Sequence, residues 1–332
     1  MKPFFALPGK IAVLLTALLL TGAALAADPF PSKLVTLMVP YPAGSLSDAI
    51  ARTVNTVLAK QLGQTVLVEN LGGVSGALGA QKVLNAPSDG YYILQGSPNE
   101  LILSPLANAA VKFRSEDFRP VQMIAVFPMA VMARGDLPAS NGDELIAYAR
   151  KTAQEGKPLT YASVGQGSFY HLLGEQMSKL TGIPMTHVPY KGGAPAFQDL
   201  MGGQVDIFIA PFGKSQIELA QQGRLKFIAA LSAERMDAIK QVPTVNESKA
   251  LKGFIFNLWT GYFVKKDTPE PVVRALHKAL TETLNDPAVR AGLEAQNLEV
   301  VKPLSLDAAA RAYVDGTAQF RAIAKSVNLQ AQ

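Results

Sequence analysis

The chain has 332 residues, no cysteine, and 31 lysines and arginines against 26 aspartates and glutamates, giving a formal net charge of +5. Without cysteine, it has neither a disulfide framework nor a site for lipid attachment at an N-terminal cysteine. The basic residues are scattered and no aromatic residues interleave with them. This pattern argues against nucleic-acid binding and fits a small anionic solute better than a polyanion.

The first 27 residues are predicted to form a secretory signal peptide. Two lysines precede an apolar run over 11–20, and small residues over 23–27 supply an Ala-x-Ala cleavage pattern near Ala26 or Ala27. The run is short for a bilayer span, which favours cleavage over a membrane anchor. We therefore expect an exported, periplasmic protein of about 305 residues, long enough for two domains that each bury a core. Loss of the two lysines leaves a mild net charge of +3.

Beyond this segment, short apolar stretches alternate with stretches of helical period, a pattern typical of α/β layers with mostly parallel strands. The predicted strands span residues 34–39, 65–69, 91–95, 159–163, 184–190, 205–210 and 225–232. The predicted helices span residues 47–62, 141–151, 168–181 and 194–201, with a short helix that ends at 83 and a helical tail over 271–284, 287–296 and 306–327. A long apolar stretch over 121–133, interrupted only by Pro128, is suited to cross between two domains, and a second one spans 254–264.

Three strand-to-helix turns share one design. The sequence Val-Pro-Tyr occurs at 39–41 and at 188–190, each time ending a strand before a glycine turn and a helix, and a third glycine turn spans 163–168. The first N–H groups of a helix are unpaired and lie at the positive end of its dipole, so such turns suit a carboxylate or phosphate. Any one of them alone could be an ordinary βα loop. Three that converge from two facing domains would form a cleft lined by backbone donors.

In the first of these turns, Ser45 or Ser47 is expected to cap the following helix. The hydroxyl of either residue could instead donate to a ligand.

Five segments, in this order and spacing, resemble the Bug family, the extracytoplasmic solute receptors of tripartite tricarboxylate transporters. They read VPYPAGSLSDAIAR, LVENLGGVSGALGA, YASVGQGSFYHLLGEQM, VPYKGGAPAFQDLMGGQVDIFIAP and VPTVNES. The resemblance implies a type II periplasmic binding protein fold, an α/β fold with two domains, a ligand cleft between them and two crossing strands near Phe127 and Leu258. Domain 1 would comprise residues 28–127 and 258–332, and domain 2 residues 128–257.

The resemblance also implies where a ligand binds. In that family, the ligand's carboxylate is held by main-chain and side-chain groups of the loop after the first strand and of loops in the facing domain, partly through water. Carried onto this sequence, these are the loop over 41–48, a segment over 96–100, and facing loops over 165–171 and 190–193. The residues expected to contact the ligand are Tyr41, Ala43, Gly44, Ser45, Ser47, Asp48, Ser97, Asn99, Gln166, Gly167, Ser168, His171, Tyr190, Lys191, Gly192 and Ala210.

Three positions depart from the family's pattern. Ser45 stands where a second glycine is common and adds a hydroxyl at the carboxylate end, and Leu71 replaces an arginine of structural type. Ala210 stands where many members have an aspartate able to meet a ligand amine. We therefore expect a mono- or dicarboxylate with an apolar or aromatic body and not an amino acid.

Some single residues have two interpretations. His171 could contact the ligand or face the core, and Lys191 could pair with a carboxylate or be solvated. Tyr41 and Tyr190 could form the cleft walls or the apolar floor of each domain. The sequence leaves these alternatives open.

A catalytic interpretation is disfavoured. Ser168, His171 and Asp206 could form a hydrolase triad, but no Gly-x-Ser-x-Gly elbow exists and a serine that opens a helix is more often a cap. His171, His187 and His277 show no close pairing in the sequence, so no metal site is expected. The glycines over 73–79 have the wrong spacing for a dinucleotide site, and no cofactor is expected.

Taken together, the sequence predicts a monomeric receptor that captures a small organic carboxylate without converting it. Closure of the two domains would bury the ligand and present a surface to integral-membrane permease subunits. A receptor that signals to a sensor kinase would share this fold and site, and the sequence does not separate the two.

Overall fold

The structure is a computed structural model that describes Met1 and residues 30–331. The predicted signal peptide and its cleavage site near Ala26 therefore lie outside the described residues. Over residues 30–331, no helix combines the length and the apolar character that crossing a bilayer requires.

The described residues alternate between strands and helices along most of the chain. The strands are β1 (Val35–Val39), β2 (Val66–Asn70), β3 (Tyr92–Gly96), β4 (Phe118–Phe127), β5 (Met129–Arg134), β6 (Thr160–Ser163), β7 (Thr186–Pro189), β8 (Ile207–Pro211), β9 (Leu225–Ala230), β10 (Leu258–Lys265) and β11 (Glu299–Val300). The α-helices are α1 (Leu46–Leu62), α2 (Ala77–Asn85), α3 (Ser104–Ala107), α4 (Gly142–Gln154), α5 (Phe169–Thr181), α6 (Gly193–Met201), α7 (Lys214–Gln221), α8 (Glu270–Asn285), α9 (Pro287–Glu294) and α10 (Leu306–Ser326). The predicted α/β class is confirmed.

The strands form two sheets. The first has the order β11-β4-β10-β3-β1-β2 and the second the order β7-β6-β8-β5-β9. The chain passes from the first sheet to the second at Pro128, which alone separates β4 from β5, and returns before β10. Proline has no N–H for a strand ladder, so it interrupts the long apolar stretch at the point where the chain changes sheets.

Both sheets are mixed, whereas mostly parallel strands were expected. β1 pairs in parallel with β2 and β3, and β6 with β7 and β8. The strands next to the two crossings, β4, β5 and β10, pair antiparallel with their neighbours. Helical crossovers keep successive strands of one sheet parallel, and a strand that arrives from the other sheet is free of that constraint.

Helix α1 shows how the sequence fixes the elements around the first turn. Ser45 caps it by accepting a hydrogen bond from the N–H of Asp48 at 3.2 Å, and Gly63 ends it in the left-handed region at φ 66°. Ile50, Val54 and Leu58 recur at helical spacing and are fully buried. The capping prediction for Ser45 is therefore confirmed.

A π-helix beside the first sheet was not predicted. A π-helix, Asn99–Leu103, follows β3 and continues directly into α3. Its apolar residues Leu101, Ile102 and Leu103 are buried, and Asn99 and Glu100 are buried with them at 0% exposure. Because π-helices are rare and have no simple sequence period, pattern analysis does not detect this segment.

Candidate functional site

A cavity of about 220 Å³ lies between the two sheets, bounded by residues at or near the ends of strands from both of them. Apolar cavities of about 150 Å³ can hold benzene, so this one suits a small ligand of roughly that class. Its lining comes from both sheets and from the two crossings, and comprises Tyr41, Gly44, Ser45, Leu46, Ser47, Gln95, Ser97, Glu100, Phe127, Val164, Tyr170, Gly193, Ala194, Phe197, Phe208, Ala210, Pro211, Gln216, Leu258 and Thr260.

The N-terminus of α1 opens onto this cavity. The capping bond to Ser45 satisfies the N–H of Asp48, whereas the N–H groups of Leu46 and Ser47 have no acceptor among the described residues. Asp48 itself is buried, which alone would raise its pKa. Hydrogen bonds from Arg52 and from the N–H of Gly44 instead hold the pKa of Asp48 below its usual value. Asp48 is thus engaged in shaping the turn.

The N-terminus of α6 opens onto the same cavity from the second sheet. Gly192 precedes the helix without a side-chain cap, and the N–H groups of Gly193 and Ala194 have no acceptor among the described residues. Gly192 also lies against Pro42 of the first turn, because a Cβ at Gly192 would sit 3.3 Å from that ring. Two helix N-termini therefore meet at one cavity, each with two free donors.

The rest of the lining is mainly apolar. The ring of Phe208 packs edge-to-face against Tyr170 and Phe197, with centroids 5.7 Å and 5.1 Å apart. Phe127 and Leu258 extend this surface from the two crossings. Among the described residues that line the cavity, none is lysine, arginine or histidine. An anion bound here would have backbone donors and no cationic partner.

A buried glutamate stands on the wall of the cavity. The carboxyl of Glu100 accepts hydrogen bonds from the N–H and the hydroxyl of Ser97, the latter at 2.9 Å, and from the hydroxyl of Tyr41 at 2.9 Å. Burial raises the pKa of Glu100 to about 7, although these three donors favour its ionised form. Glu100 ends the segment over 96–100 that was expected to border the ligand, but it was not among the residues expected to contact it. The signal was an acidic residue directly before the apolar run Leu-Ile-Leu.

Gln95 was also not predicted. It lies one residue before the end of β3, is 2% exposed, and its Nε2 donates to the carbonyl of Ser47 at 2.9 Å. Its Oε1 has no partner among the described residues. This orphan acceptor on the cavity wall calls for a donor from a ligand or from water.

The structure brings six of the predicted contacts to the cavity and leaves ten outside its lining. The six are Tyr41, Gly44, Ser45, Ser47, Ser97 and Ala210. The ten outside are Ala43, Asp48, Asn99, Gln166, Gly167, Ser168, His171, Tyr190, Lys191 and Gly192. Lys191 is exposed, and the hydroxyl of Tyr190 donates to Asp199 at 2.9 Å.

The third glycine turn joins the two halves of the chain. Asn99 accepts a hydrogen bond from the N–H of Phe169 at 2.7 Å, and the hydroxyl of Ser75 donates to the carbonyl of Gln166 at 3.3 Å. Gly167, at φ 72°, lies so close to Ala107 that an added Cβ would sit 1.7 Å from the alanine's Cβ. These contacts hold the turn before α5, on the side of the second sheet, against the π-helix and α3 on the side of the first.

The hydrolase triad considered from the sequence is not formed. Ser168 caps α5 by accepting the N–H of His171 at 3.4 Å, while Nδ1 of His171 accepts the N–H of Gly167 at 3.0 Å. Asp206 pairs with Arg134 at 3.0 Å. Ser168 is therefore an N-cap, and Asp206 does not orient His171.

Two of the histidines that are not close in the sequence are paired in the structure. The rings of His171 and His187 stack with centroids 4.1 Å apart, because α5 and β7 bring together residues that are distant in sequence. Burial lowers the pKa of both, that of His187 to about 4. Over residues 30–331, no group of three or more His, Cys, Asp or Glu is placed to hold a metal ion.

Comparisons with known proteins agree with this architecture. A family model described as "Tripartite tricarboxylate transporter family receptor" matches residues 50–329. An Agrobacterium vitis protein, "UPF0065 protein in the TAR-I ttuE-ttuC' intergenic region", is 39% identical over 282 residues, which cover 84% of this chain and 79% of that protein. The structure of periplasmic binding protein BugD matches with a TM-score of 0.83 and 31% identity, over 91% of this chain and 100% of that one. The structure "R. palustris Rpa4515 with adipate" matches with a TM-score of 0.83 and 28% identity, over 91% and 100%.

Proposed function

The chain belongs to the tripartite tricarboxylate transporter receptor family, and from that membership we propose that it captures a small carboxylate and delivers it to an integral-membrane permease. The resemblance to the Bug family and the periplasmic binding protein fold, both predicted from the sequence, are confirmed. Members of this family are periplasmic solute-binding receptors. Carboxylate specificity and delivery to a permease are the proposed steps.

The observation that carries the proposal is the meeting of two helix N-termini at one cavity. Leu46 and Ser47 from one side and Gly193 and Ala194 from the other present four backbone N–H groups without acceptors among the described residues. A carboxylate has two oxygens that together accept about four hydrogen bonds. The donor set therefore matches one carboxylate group, with the hydroxyl of Ser45 as a further donor.

The apolar wall selects the remainder of the ligand. Phe127, Phe197, Phe208 and Leu258 suit an aliphatic or aromatic body. Ala210 leaves the second sheet without an acid at the cavity, and the carboxyl of Glu100 already accepts three hydrogen bonds, so we propose that amino acids are poor ligands. A relative of known structure has been solved with adipate, an aliphatic carboxylate.

We propose that Tyr41, Gly44, Ser45, Ser47, Ser97 and Ala210 contact the ligand, together with Gln95, Glu100 and the start of α6. We further propose two domains, 28–127 with 258–332 and 128–257, that close around it. The change of sheet at Pro128 and before Leu258 supports this division. We also propose that the protein is exported by its signal peptide and is a monomer in the periplasm. It binds its ligand without converting it.

The proposal is tested by native mass spectrometry of the purified protein and a thermal-shift panel of citrate, succinate, adipate, glutamate, benzoate, terephthalate and nicotinate. A ligand that binds only the folded state raises the melting temperature by mass action. We expect adipate or benzoate to stabilise the fold more than glutamate and to be recovered unchanged. A larger shift with glutamate contradicts the ligand class, and conversion of any compound contradicts the receptor function.

A further inference from the structure

Glu100 places an acidic group inside a cavity proposed for an anion. It is fully buried, lines the cavity, and is held from three sides by the N–H and hydroxyl of Ser97 and the hydroxyl of Tyr41. An ionised carboxylate here repels a ligand carboxylate, and the cavity lining offers no cation to offset that repulsion. The arrangement is consistent with an anionic ligand only if Glu100 carries no charge when the ligand is bound.

The titratable groups that face Glu100 are neutral phenols. Tyr41 faces it from the loop after β1, Tyr170 from α5 and Tyr313 from α10, and burial raises the pKa of all three. These phenols keep their protons throughout the neutral range. The protonation of Glu100 is therefore set by burial, by its three hydrogen-bond donors and by the ligand.

The remaining elements beside the π-helix contribute no opposing charge. The turn over 74–76 and the helix α3 contain no acidic or basic residue. Helix α2 carries Lys82, which forms an ion pair with Glu69, and helix α10 carries Arg321, which forms an ion pair with Glu116. No described cation is therefore in a position to hold Glu100 ionised.

The local hydrogen bonds permit both charge states. Two of the three donors to Glu100 are hydroxyls, and a hydroxyl can rotate so that it accepts a hydrogen bond instead of donating one. A protonated Glu100 could donate to the oxygen of Tyr41 or Ser97, or to a ligand oxygen. The wall thus needs no rearrangement of the backbone when Glu100 takes up a proton.

The size of the cavity makes the two charges interact strongly. Glu100 lines the cavity, so a ligand carboxylate held inside lies close to it, and charges within about 10 Å of each other are only partly screened by salt. A like charge nearby disfavours ionisation, so a bound carboxylate raises the pKa of Glu100 further.

From this geometry we propose that the cavity binds its carboxylate together with one proton on Glu100, so that ligand capture is proton-coupled. This inference rests on the proposed function and adds a regulatory property to the same site. When Glu100 is protonated, the ligand carboxylate is the only negative charge at this end of the cavity, and the free N–H groups of α1 and α6 can accommodate it. Affinity then falls as the pH rises, because the free protein must take up a proton before or during binding.

The experiment is isothermal titration calorimetry with benzoate, and in parallel with adipate, at about pH 6 and pH 8 in two buffers of different ionisation enthalpy. The dependence of the apparent enthalpy on the buffer gives the number of protons taken up. Because burial raises the pKa of Glu100 in the free protein to about 7, we expect uptake approaching one proton per benzoate at about pH 8, little uptake at about pH 6, and an affinity about tenfold lower at the higher pH.

The variant Glu100→Gln keeps the shape of the side chain and removes its charge. We expect it to bind with no proton uptake and, at about pH 8, about tenfold more tightly than the unmodified protein. The matched control is Glu155→Gln, an exposed residue at the end of α4, which should keep the original proton uptake. If Glu100→Gln does not fold, the two-buffer titration of the unmodified protein still tests whether binding takes up a proton.

The outcomes separate this inference from the proposed function. Binding of benzoate or adipate with no proton uptake at about pH 8 overturns the proton coupling and leaves the carboxylate receptor standing. If neither benzoate nor adipate binds at either pH, the carboxylate function is overturned, and the proton coupling with it. Proton uptake that persists in Glu100→Gln assigns the proton to another group and overturns the role of Glu100.

Discussion

The hydroxyl of Tyr41 donates to Oε2 of Glu100 at 2.9 Å, and this bond joins the loop after β1 to the π-helix after β3. Both residues line the cavity, so the same contact sets the shape of its wall and the charge on it. Neither partner reaches the other through sequence proximity, because 59 residues separate them.

The first prediction concerns this bond. Replacing Tyr41 by Phe removes a donor that favours the ionised form of Glu100, so the pKa of Glu100 should rise. The pH at which affinity for benzoate begins to fall should therefore move upward, by an amount that titration calorimetry across pH can measure. Tyr92→Phe, in β3 and outside the cavity lining, should leave this pH unchanged. An unchanged or lower pH in Tyr41→Phe would contradict the role of the bond.

The second prediction concerns stability in the absence of ligand. The pKa of Glu100 is raised in the folded protein to about 7 from a usual 4.5, so folded protein binds the proton more tightly than unfolded protein. Its contribution to stability is present below about pH 4.5 and is lost as the pH rises through about 7, by at most about 3 kcal/mol. Glu100→Gln should therefore gain stability relative to the unmodified protein between pH 5 and 8.

Urea unfolding of both proteins at several pH values measures this difference. Glu155→Gln serves as the control, and its difference from the unmodified protein should not change with pH in that range. A constant difference for Glu100→Gln as well would mean that the carboxyl titrates normally.

The third prediction tests the helix N-terminus of α6. Gly193 is the first helical residue, a position that accepts proline well, and proline has no N–H. Gly193→Pro should weaken carboxylate binding by about 1.5–3 kcal/mol, the value of a hydrogen bond to a charged group. Gly193→Ala keeps the N–H and adds a methyl with no described atom within 4 Å, so it should bind more tightly than Gly193→Pro. Equal affinities of the two variants would exclude this N–H as a ligand contact.

The fourth prediction concerns Ala210. An aspartate there would add a buried carboxylate to a cavity lined by no described cation. Ala210→Asp should reduce the affinity for benzoate at least tenfold and improve that for glutamate relative to benzoate. Ala210→Asn has the same shape without the charge and should retain most of the selectivity for benzoate. Thermal shifts with both ligands compare the three proteins.

The fifth prediction concerns closure. A methyl at Gly167 would overlap Ala107, so Gly167→Ala should hold the two halves of the chain apart and weaken ligand binding. The double variant Gly167→Ala/Ala107→Gly restores the space, although the positive φ of residue 167 still costs about 1 kcal/mol. In small-angle X-ray scattering with ligand present, Gly167→Ala should have a larger radius of gyration than the unmodified protein, and the double variant should not. Identical radii would show that this contact does not control closure.

The boundaries of most elements could be predicted from the sequence because their signals are local. The buried run of β1, the cap at Ser45 and the αL glycine after α1 each depend on a few neighbouring residues. The change of sheet at Pro128 was visible for the same reason, since a proline interrupts a long apolar stretch. The mixed direction of the strands was not visible, because it depends on which sheet each strand enters.

The sequence by itself determined the α/β architecture, the family and the glycine turns that open the helices. The tertiary structure decided which of those turns face the cavity: two present free N–H groups to it, and the third is engaged against Ser75, Asn99 and Ala107. It also decided that Glu100 is buried on the cavity wall, and that His171 stacks on His187. These facts depend on contacts between residues far apart in the chain, whereas capping, turn geometry and apolar periodicity act over only a few residues.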